Sequence, residues 1–525
     1  MFEKICSKAL GRNEFFLVLV LTLGIKIWLG MSLPISGDEA LFYWWGRFPN
    51  LGYYDHPPMV GWLLAGMTPL SEQPLWLRLP AIATSPLIAI GIVDLINRIL
   101  PKSDIAWSVG IFYLLIPISW IGVLITNDTP LMLFTFASGY CFLRGFVPAE
   151  SEHRLSAKDH PATVWMIGCG FFLGLAFLSK YLAVIQGLAY MAALLLPRAF
   201  GGIGRGQVFR PIMLIGLAAA PMVALNIGYN VTNCWNNVMF NLFNRHEDAS
   251  LSPANSLLYL LMMVYLITPW ALWSLFKSGW GKLNQNGLLA IAMIPLVFFL
   301  GISIFKRIGL HWPLAFLPFF VLLFASQTKI KMALLSFFMA VFSIVHLLAL
   351  VTVLYAPPSF ARQFSTLQGL DFLRNAKAVF SAVRANTPED TVLAAESYSS
   401  AAILGYHGKR YVPVFGVGSR YGRLDDTLVN FQDFDGKNIR IISRKNRDPM
   451  ELAPFFESVT ASELSFGENS YLIIDGNKFK FSEYREIILT EITNRYYQIP
   501  GALPVLSCKF LSRYELWEQS QASLQ

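Results

Sequence analysis

The chain has 525 residues, of which 55% are hydrophobic and only 14% charged. Covering a water-facing surface takes roughly a quarter of the residues as charges, so most of this chain cannot face water. Its formal charge of +8 does not point to nucleic acid. The Lys and Arg residues sit in short loops between apolar runs, where they set membrane orientation, and no basic stripe or base-stacking module accompanies them.

A membrane-crossing helix needs about twenty mostly apolar residues. Taken in order, the candidates are Glu14–Leu33, Leu77–Ile99, Ile105–Ile125, Pro130–Val147, Ala162–Leu178, Tyr181–Leu196, Pro211–Tyr229, Asn255–Phe276, Gly287–Phe305, Leu310–Ala325 and Met332–Tyr355. The first follows a basic start without a small-residue cleavage site, so it reads as a retained helix rather than a signal peptide. The fold class expected is a membrane all-α bundle of about eleven helices over residues 1–355. Alternate loops carry Lys4, Lys8 and Arg12, then Arg98 and Lys102, then Arg144, Arg154 and Lys158, with the later loops continuing the pattern. The other set holds only Arg47, Arg78, Lys180, Arg245, Lys306 and Arg307. The positive-inside bias therefore predicts a cytoplasmic N-terminus and, after eleven crossings, an outer C-terminal segment.

Within the runs, Lys26 is a costly charge, expected to snorkel or to pair with an acid. Asp94 suits an i,i+4 pair with Arg98. No broken helices or repeated halves of transporter type are legible. Cys141 and Cys169 read as packing residues; Cys234 and Cys508 fall on the same predicted side, and the sequence leaves open whether they form a disulfide.

After Tyr355 the charges become regular. Asp435-Gly436 and Asp475-Gly476 read as turns, and Asn438–Ile442 and Tyr471–Ile474 as short alternating runs. Residues 356–525 are thus expected to form a soluble α/β domain.

The loop after the first run concentrates chemistry: Ser36-Gly37-Asp38-Glu39, four aromatics in Phe42-Tyr43-Trp44-Trp45, then Tyr53-Tyr54-Asp55-His56-Pro57-Pro58. An amphipathic helix lying at the membrane interface, with charges merely facing water, also fits these residues. Asp38 and Glu39 are neighbours, so on a helix they point roughly 100° apart, which favours one acid at a reaction centre over a carboxylate pair.

The Gly37-Asp38-Glu39 and Tyr53–Pro58 segments resemble GT-C glycosyltransferases, and within them the protein mannosyltransferase-related branch that includes lipid A aminoarabinose and galacturonic acid transferases. Thr126-Asn127-Asp128-Thr129-Pro130-Leu131, Gly174–Tyr181 and His311-Trp312-Pro313 follow in the family's order. The resemblance covers about the first two thirds of the chain. It implies a GT-C bundle, a polyprenyl-phosphate-sugar donor, an envelope glycolipid or glycan acceptor (lipid A, lipopolysaccharide core or another glycan), and inverting transfer at the outer face of the bacterial inner membrane.

By position, Asp38 matches the catalytic acid. Glu39, Asp55, His56, Asp128, Lys180, Lys306, Arg307 and His311 make up the expected substrate-binding set, the cations facing the carrier's phosphate. His56 departs from the family, standing where aminoarabinose transferases carry lysine. Asp128 equally suits a helix cap. A divalent metal, if one is used, would fall to Asp38 and Asp128, a thin ligand set. Two other readings stand beside this one: a protein O-glycosyltransferase of the same fold, and a lipid or glycolipid flippase.

Overall fold

The computed structural model describes residues 10–100, 105–146, 163–195, 208–246, 250–278, 287–327, 332–357, 369–444, 447–466 and 469–522. Cys6 and several basic loop residues, among them Lys4, Lys8, Lys102, Arg154 and Arg205, lie outside them. The chain forms two compact units. One comprises Met1–Leu33, Gln73–Ala224 and Ala249–Tyr355; the other comprises Pro34–Glu72, Leu225–Asp248 and Ala356–Gln525. The segment after Tyr355 therefore shares its unit with two stretches from the helical part of the sequence, rather than standing apart.

The first unit is helical, and each of the apolar runs carries helix. Arg12–Ser32, Leu79–Ile99, Phe209–Thr232 and Met332–Tyr355 are long and apolar enough to cross a membrane as single helices. In the last, only 11% of the most apolar stretch is buried, and Phe337, Phe338, Ile344, Val345 and Leu348 are exposed. Soluble proteins rarely leave so large an apolar patch bare, whereas lipid tails cover it without cost.

Two of the expected continuous helices are broken, contrary to the sequence reading. The run Ile105–Ile125 splits into Ala106–Leu115 and Pro117–Ile121, and the run Asn255–Phe276 into Pro253–Ile267 and Pro269–Ser278. Each second half starts on a proline, which has no N–H to continue the preceding helix but fits a first helical turn. Thr268, between the second pair, takes φ +73°.

The first break explains Lys26. Its ammonium donates to Ser85 Oγ at 2.8 Å, to the Ser119 carbonyl at 3.0 Å and to the Gly122 carbonyl at 3.2 Å. The latter two oxygens lie on and just after the short helix Pro117–Ile121. Lys26 is buried, so it neither snorkels nor meets an acid in these bonds; backbone oxygens of the broken helix satisfy it. Asp94 pairs with Arg98 at 2.8 Å as expected, and Tyr140 adds a hydrogen bond at 2.7 Å.

The second unit holds a four-stranded sheet: β1 (Val392–Ala395), β2 (Ile439–Ser443), β3 (Phe456–Phe466) and β4 (Asn469–Phe479), in the order β1-β2-β4-β3. β1 and β2 are parallel and the other pairings antiparallel. Phe415, Phe456, Phe479 and Tyr484 pack against one another in its core. Gly436 takes φ +71°, as a turn glycine does. Asp475-Gly476 is not a turn: Gly476 lies inside β4, opposite Ile439 and Val459. A side chain there would strike the Phe456 ring, so this glycine serves ring packing.

Helix Gly37–Arg47 belongs to this unit, and Phe42, Tyr43, Trp44 and Trp45 are all buried. They are not an interfacial membrane belt. Trp44 Nε1 donates to the Ala402 carbonyl at 3.3 Å, and Tyr43 meets Tyr406 edge-on at 5.0 Å, so the helix packs along Tyr398–Gly408. Burying a large apolar side chain contributes roughly 1.5–3 kcal/mol, enough for four rings to hold the helix here. Cys234 and Cys508 form a disulfide within the unit.

Candidate functional site

Helix Gly37–Arg47 begins with a reciprocal cap. Ser36 Oγ accepts from the Glu39 N–H at 3.3 Å, and Glu39 Oε2 accepts from the Ser36 N–H at 3.1 Å. The Ser-x-x-Glu spacing is the sequence form of this capping box. Glu39 is fully buried in that role, which leaves it no surface for a substrate. Asp38, one position earlier and turned away, is exposed, and Tyr398 Oη donates to its Oδ1 at 3.1 Å. The cap thus separates two neighbouring acids into a structural one and an accessible one.

Asp55 lies near enough to Asp38 for their charges to interact. It is buried; Gly422 N–H donates to its Oδ2 at 3.3 Å, while Oδ1 is buried without a hydrogen-bond partner among the described residues. Burial pushes its pKa up to about 6. The charge of Asp38 adds to the rise, and the Gly422 N–H and Arg245 hold it back. The Tyr398 phenol is pushed well above its ordinary value by burial and then by Asp38. His56 is half-buried; its carbonyl accepts from Tyr53 N–H and Asn237 Nδ2.

The sequence reading missed what holds this loop. Asn237 Nδ2 donates to the carbonyls of Tyr53, Tyr54 and His56, Asn241 to that of Asp55 at 3.1 Å, and Asn244 to Tyr54 Oη at 3.0 Å. Asn226 and Asn230 extend the row through Asn226 Nδ2 to Asn237 Oδ1. Asparagines at 226, 230, 237, 241 and 244 recur at helical spacing, a polar stripe legible in principle. Tyr398 and Gly422 had no such signal. A cavity of about 70 Å³ opens beside Asp55, lined by Trp45, Tyr54, Tyr229, Thr427 and Lys509 among others.

The other unit holds a second cluster. Lys180 sits in the turn between helices Thr163–Phe177 and Ala183–Leu195, and its ammonium meets Asp128 Oδ1 at 2.8 Å. His311 Nε2 lies 4.0 Å from Asp128 Oδ2. Asp128 stands in the first turn of helix Asp128–Phe146, so helix start and ion pair are compatible. Lys306 is half-buried and Arg307 exposed, after helix Leu288–Ser303. An apolar cavity of about 390 Å³ is lined by residues of three helices, including Phe177 and Ala183 on either side of Lys180 in sequence.

Asp38 and Asp128 fall in different units, and Asp128 already engages Lys180. Among the described residues no group of three or more His, Cys, Asp or Glu side chains is arranged to hold a metal ion, so no step is assigned to one.

Residues 55–224 match the family described as dolichyl-phosphate-mannose-protein mannosyltransferase. The lipid A galacturonosyltransferase RgtD of Rhizobium johnstonii is 27% identical over 224 residues, 41% of this chain and 43% of that protein. The match thus spans less than half of that relative's length. ArnT from Cupriavidus metallidurans bound to undecaprenyl phosphate superposes with a TM-score of 0.62 at 14% identity, covering 87% of this chain and 97% of that one. Its apo state gives 0.60 at 14% identity, covering 88% and 98%. At that identity the superposition shows a shared fold. The resemblance to GT-C glycosyltransferases is thereby shown, on sequence over residues 55–224 and on fold over most of the chain.

Proposed function

We propose that this chain is a multi-pass glycosyltransferase of the bacterial inner membrane, moving a sugar from a polyprenyl-phosphate carrier to an envelope glycolipid or glycan. The observation that carries the reading is the presentation of Asp38. In a fold shared with ArnT, one acid of the Asp38-Glu39 pair closes the helix while the other stands exposed and held by a hydrogen bond. Asp38 accepts the acceptor hydroxyl's proton as that oxygen attacks the anomeric carbon. The bond from that carbon to the phosphate oxygen breaks, the configuration inverts, and polyprenyl phosphate leaves with the bonding pair. A carboxylate within hydrogen-bond reach suits the first task; the departing phosphate needs no proton but does need cations.

That second role falls to Lys180, oriented by Asp128, with Lys306, Arg307 and His311 assisting. The apolar cavity lined by Phe177 and Ala183, on either side of Lys180 in sequence, suits the isoprenoid tail. Glu39 leaves the binding set, because its carboxylate serves the cap.

In this reading the N-terminus is cytoplasmic and the sheet-containing unit lies outside. Two independent features support that sidedness: the distribution of Lys and Arg, and the Cys234–Cys508 disulfide, which persists in an oxidising compartment and is rare in the cytoplasm. Reporter fusions after Tyr355 that are active only in the cytoplasm would overturn it.

Mass spectrometry of lipid A and envelope glycans from a deletion strain tests the activity. The expected result is loss of one hexose, uronic acid or aminopentose mass, restored by the wild-type gene and not by Asp38→Asn. An unchanged glycan profile, or full restoration by Asp38→Asn, would refute the proposal.

A further inference from the structure

The segment after Tyr355 does more than accompany the acids. Helix Tyr398–Gly408 follows directly on β1 and is capped by Ser397, whose Oγ accepts from the Ser400 N–H at 3.4 Å. Its first residue is the one that donates to Asp38 Oδ1. The register between this helix and Gly37–Arg47 is fixed at both ends by close approach. A side chain at Gly37 would collide with Ser399, next to Tyr398, and one at Gly405 would stand 3.1 Å from the Trp44 ring. Trp44 also donates to the Ala402 carbonyl. Packing of this kind transmits position, because close-packed interiors tolerate little displacement.

The same segment reaches the second acid. Gly422 takes φ +67° and donates its N–H to Asp55. A Cβ there would stand 2.5 Å from the Tyr398 ring, so the glycine makes room for the tyrosine while serving Asp55. The loop is pinned from behind. Arg423 is buried and makes a bidentate pair with Asp426 at 2.7 and 3.0 Å, and it donates to the Val417 and Ser419 carbonyls at 2.9 and 3.2 Å. Tyr497 Oη holds Asp426 in turn at 2.5 Å.

We infer that the C-terminal segment completes the acid site: Tyr398 is a positioning residue that fixes the Asp38 carboxylate for proton transfer, and the Gly422 loop holds Asp55 beside it. The inference rests on the reading of Asp38 as general base. It assigns to this segment a part in turnover itself, rather than only in covering the site or in stability.

Tyr398→Phe, which removes one oxygen and keeps the ring, tests it in the purified full chain. A charge-assisted hydrogen bond that aligns a base contributes on the order of tenfold in rate. The expected result is therefore a kcat lower by about tenfold, with the KM values for carrier and acceptor close to wild type. A second arm adds Tyr398→Phe to Asp38→Asn. Acting through Asp38, the tyrosine adds no further loss there, whereas a purely structural contribution multiplies through. Gly422→Ala, which presses on the Tyr398 ring, should show the same kcat-selected loss. If Tyr398→Phe keeps wild-type kcat, or if its loss multiplies with that of Asp38→Asn, the positioning role is refuted while the base assignment stands. If Asp38→Asn itself retains wild-type turnover, the base assignment falls instead.

Discussion

In the helical unit, Asp128 meets an ammonium at 2.8 Å, with the His311 ring beyond it. In the sheet-containing unit, Asp38 accepts a hydrogen bond from a tyrosine hydroxyl and Asp55 accepts one from a glycine N–H. The two clusters start from the same side-chain chemistry and end with different capacities. A carboxylate paired with a lysine orients that cation. Asp55, buried and beside the charge of Asp38, holds a proton more readily than an ordinary carboxylate. This contrast fits the proposed division of labour, with the Asp128 cluster facing an anion through its lysine and the Asp38 cluster taking a proton.

The largest expected effect comes from breaking the ion pair. The Lys180 and Asp128 side chains are 7% and 15% exposed, and removing one partner of a buried pair typically costs roughly 3–5 kcal/mol. Asp128→Asn should therefore lower the thermal stability of the purified chain more than an apolar double replacement of Asp128 and Lys180 does. Lys180→Ala should also weaken binding of sugar-free polyprenyl phosphate by about tenfold or more, since charge-assisted bonds to phosphate are strong. Should Lys180→Ala and Lys306→Ala both bind it as wild type does, the phosphate site lies elsewhere.

The disulfide sharpens the contrast from the other side. Cys508→Ser, which opens a link across 274 positions, should cost roughly 2–5 kcal/mol. Proteolysis after reduction should then cut the sheet-containing unit before the helical one. Equal susceptibility of both units would contradict that localisation.

Asp55 adds a pH signature to the sheet-containing unit. Its folded pKa of about 6 lies above the ordinary unfolded value near 3.9. Between those values the folded state binds more protons, so its contribution to stability is full below about pH 4 and is lost as pH rises towards 6. The loss is about 3 kcal/mol at ~1.4 kcal/mol per unit. Thermal unfolding across pH 4–7 should show a steeper loss of stability in wild type than in Asp55→Asn; parallel curves would rule out the Asp55 contribution.

The smallest effect separates sequence neighbours. Glu39→Gln keeps the capping box and should change turnover little, while Glu39→Ala should cost about 1 kcal/mol of stability. A turnover loss in Glu39→Gln comparable to that of Asp38→Asn would return Glu39 to the reacting groups.

What the sequence disclosed follows from the range of each interaction. Helix positions were legible because apolar runs are local, and the Asp94–Arg98 pair because it spans one helical turn. The two breaks were also written locally, in Pro117 and Pro269, yet continuous hydropathy hid them. Asp475-Gly476 misled for the opposite reason: its dipeptide suits a turn, but the Phe456 ring requires the glycine within a strand. Ser36-x-x-Glu39 spells out a cap, which the reading of Glu39 as a binding group passed over. Asp128 with Lys180, 52 positions apart, and Asp38 with Tyr398, 360 apart, are tertiary events without local trace. For the same reason the sequence boundary at Tyr355 concealed how residues 34–72 and 225–248 fold with the C-terminal segment.

The contrast between the two clusters meets its most direct test in single-turnover transfer by Asp38→Asn and Asp128→Asn, measured at saturating donor with carrier binding followed in parallel. Loss of a general base costs about 10²–10⁴ in rate. The account predicts that Asp38→Asn loses the chemical step by that factor while binding polyprenyl phosphate as wild type does. Asp128→Asn should weaken carrier binding and recover most of its rate once the donor is saturating. Retention of more than about half the wild-type rate by Asp38→Asn, well short of the loss expected for a base, would contradict the assignment of the proton to Asp38.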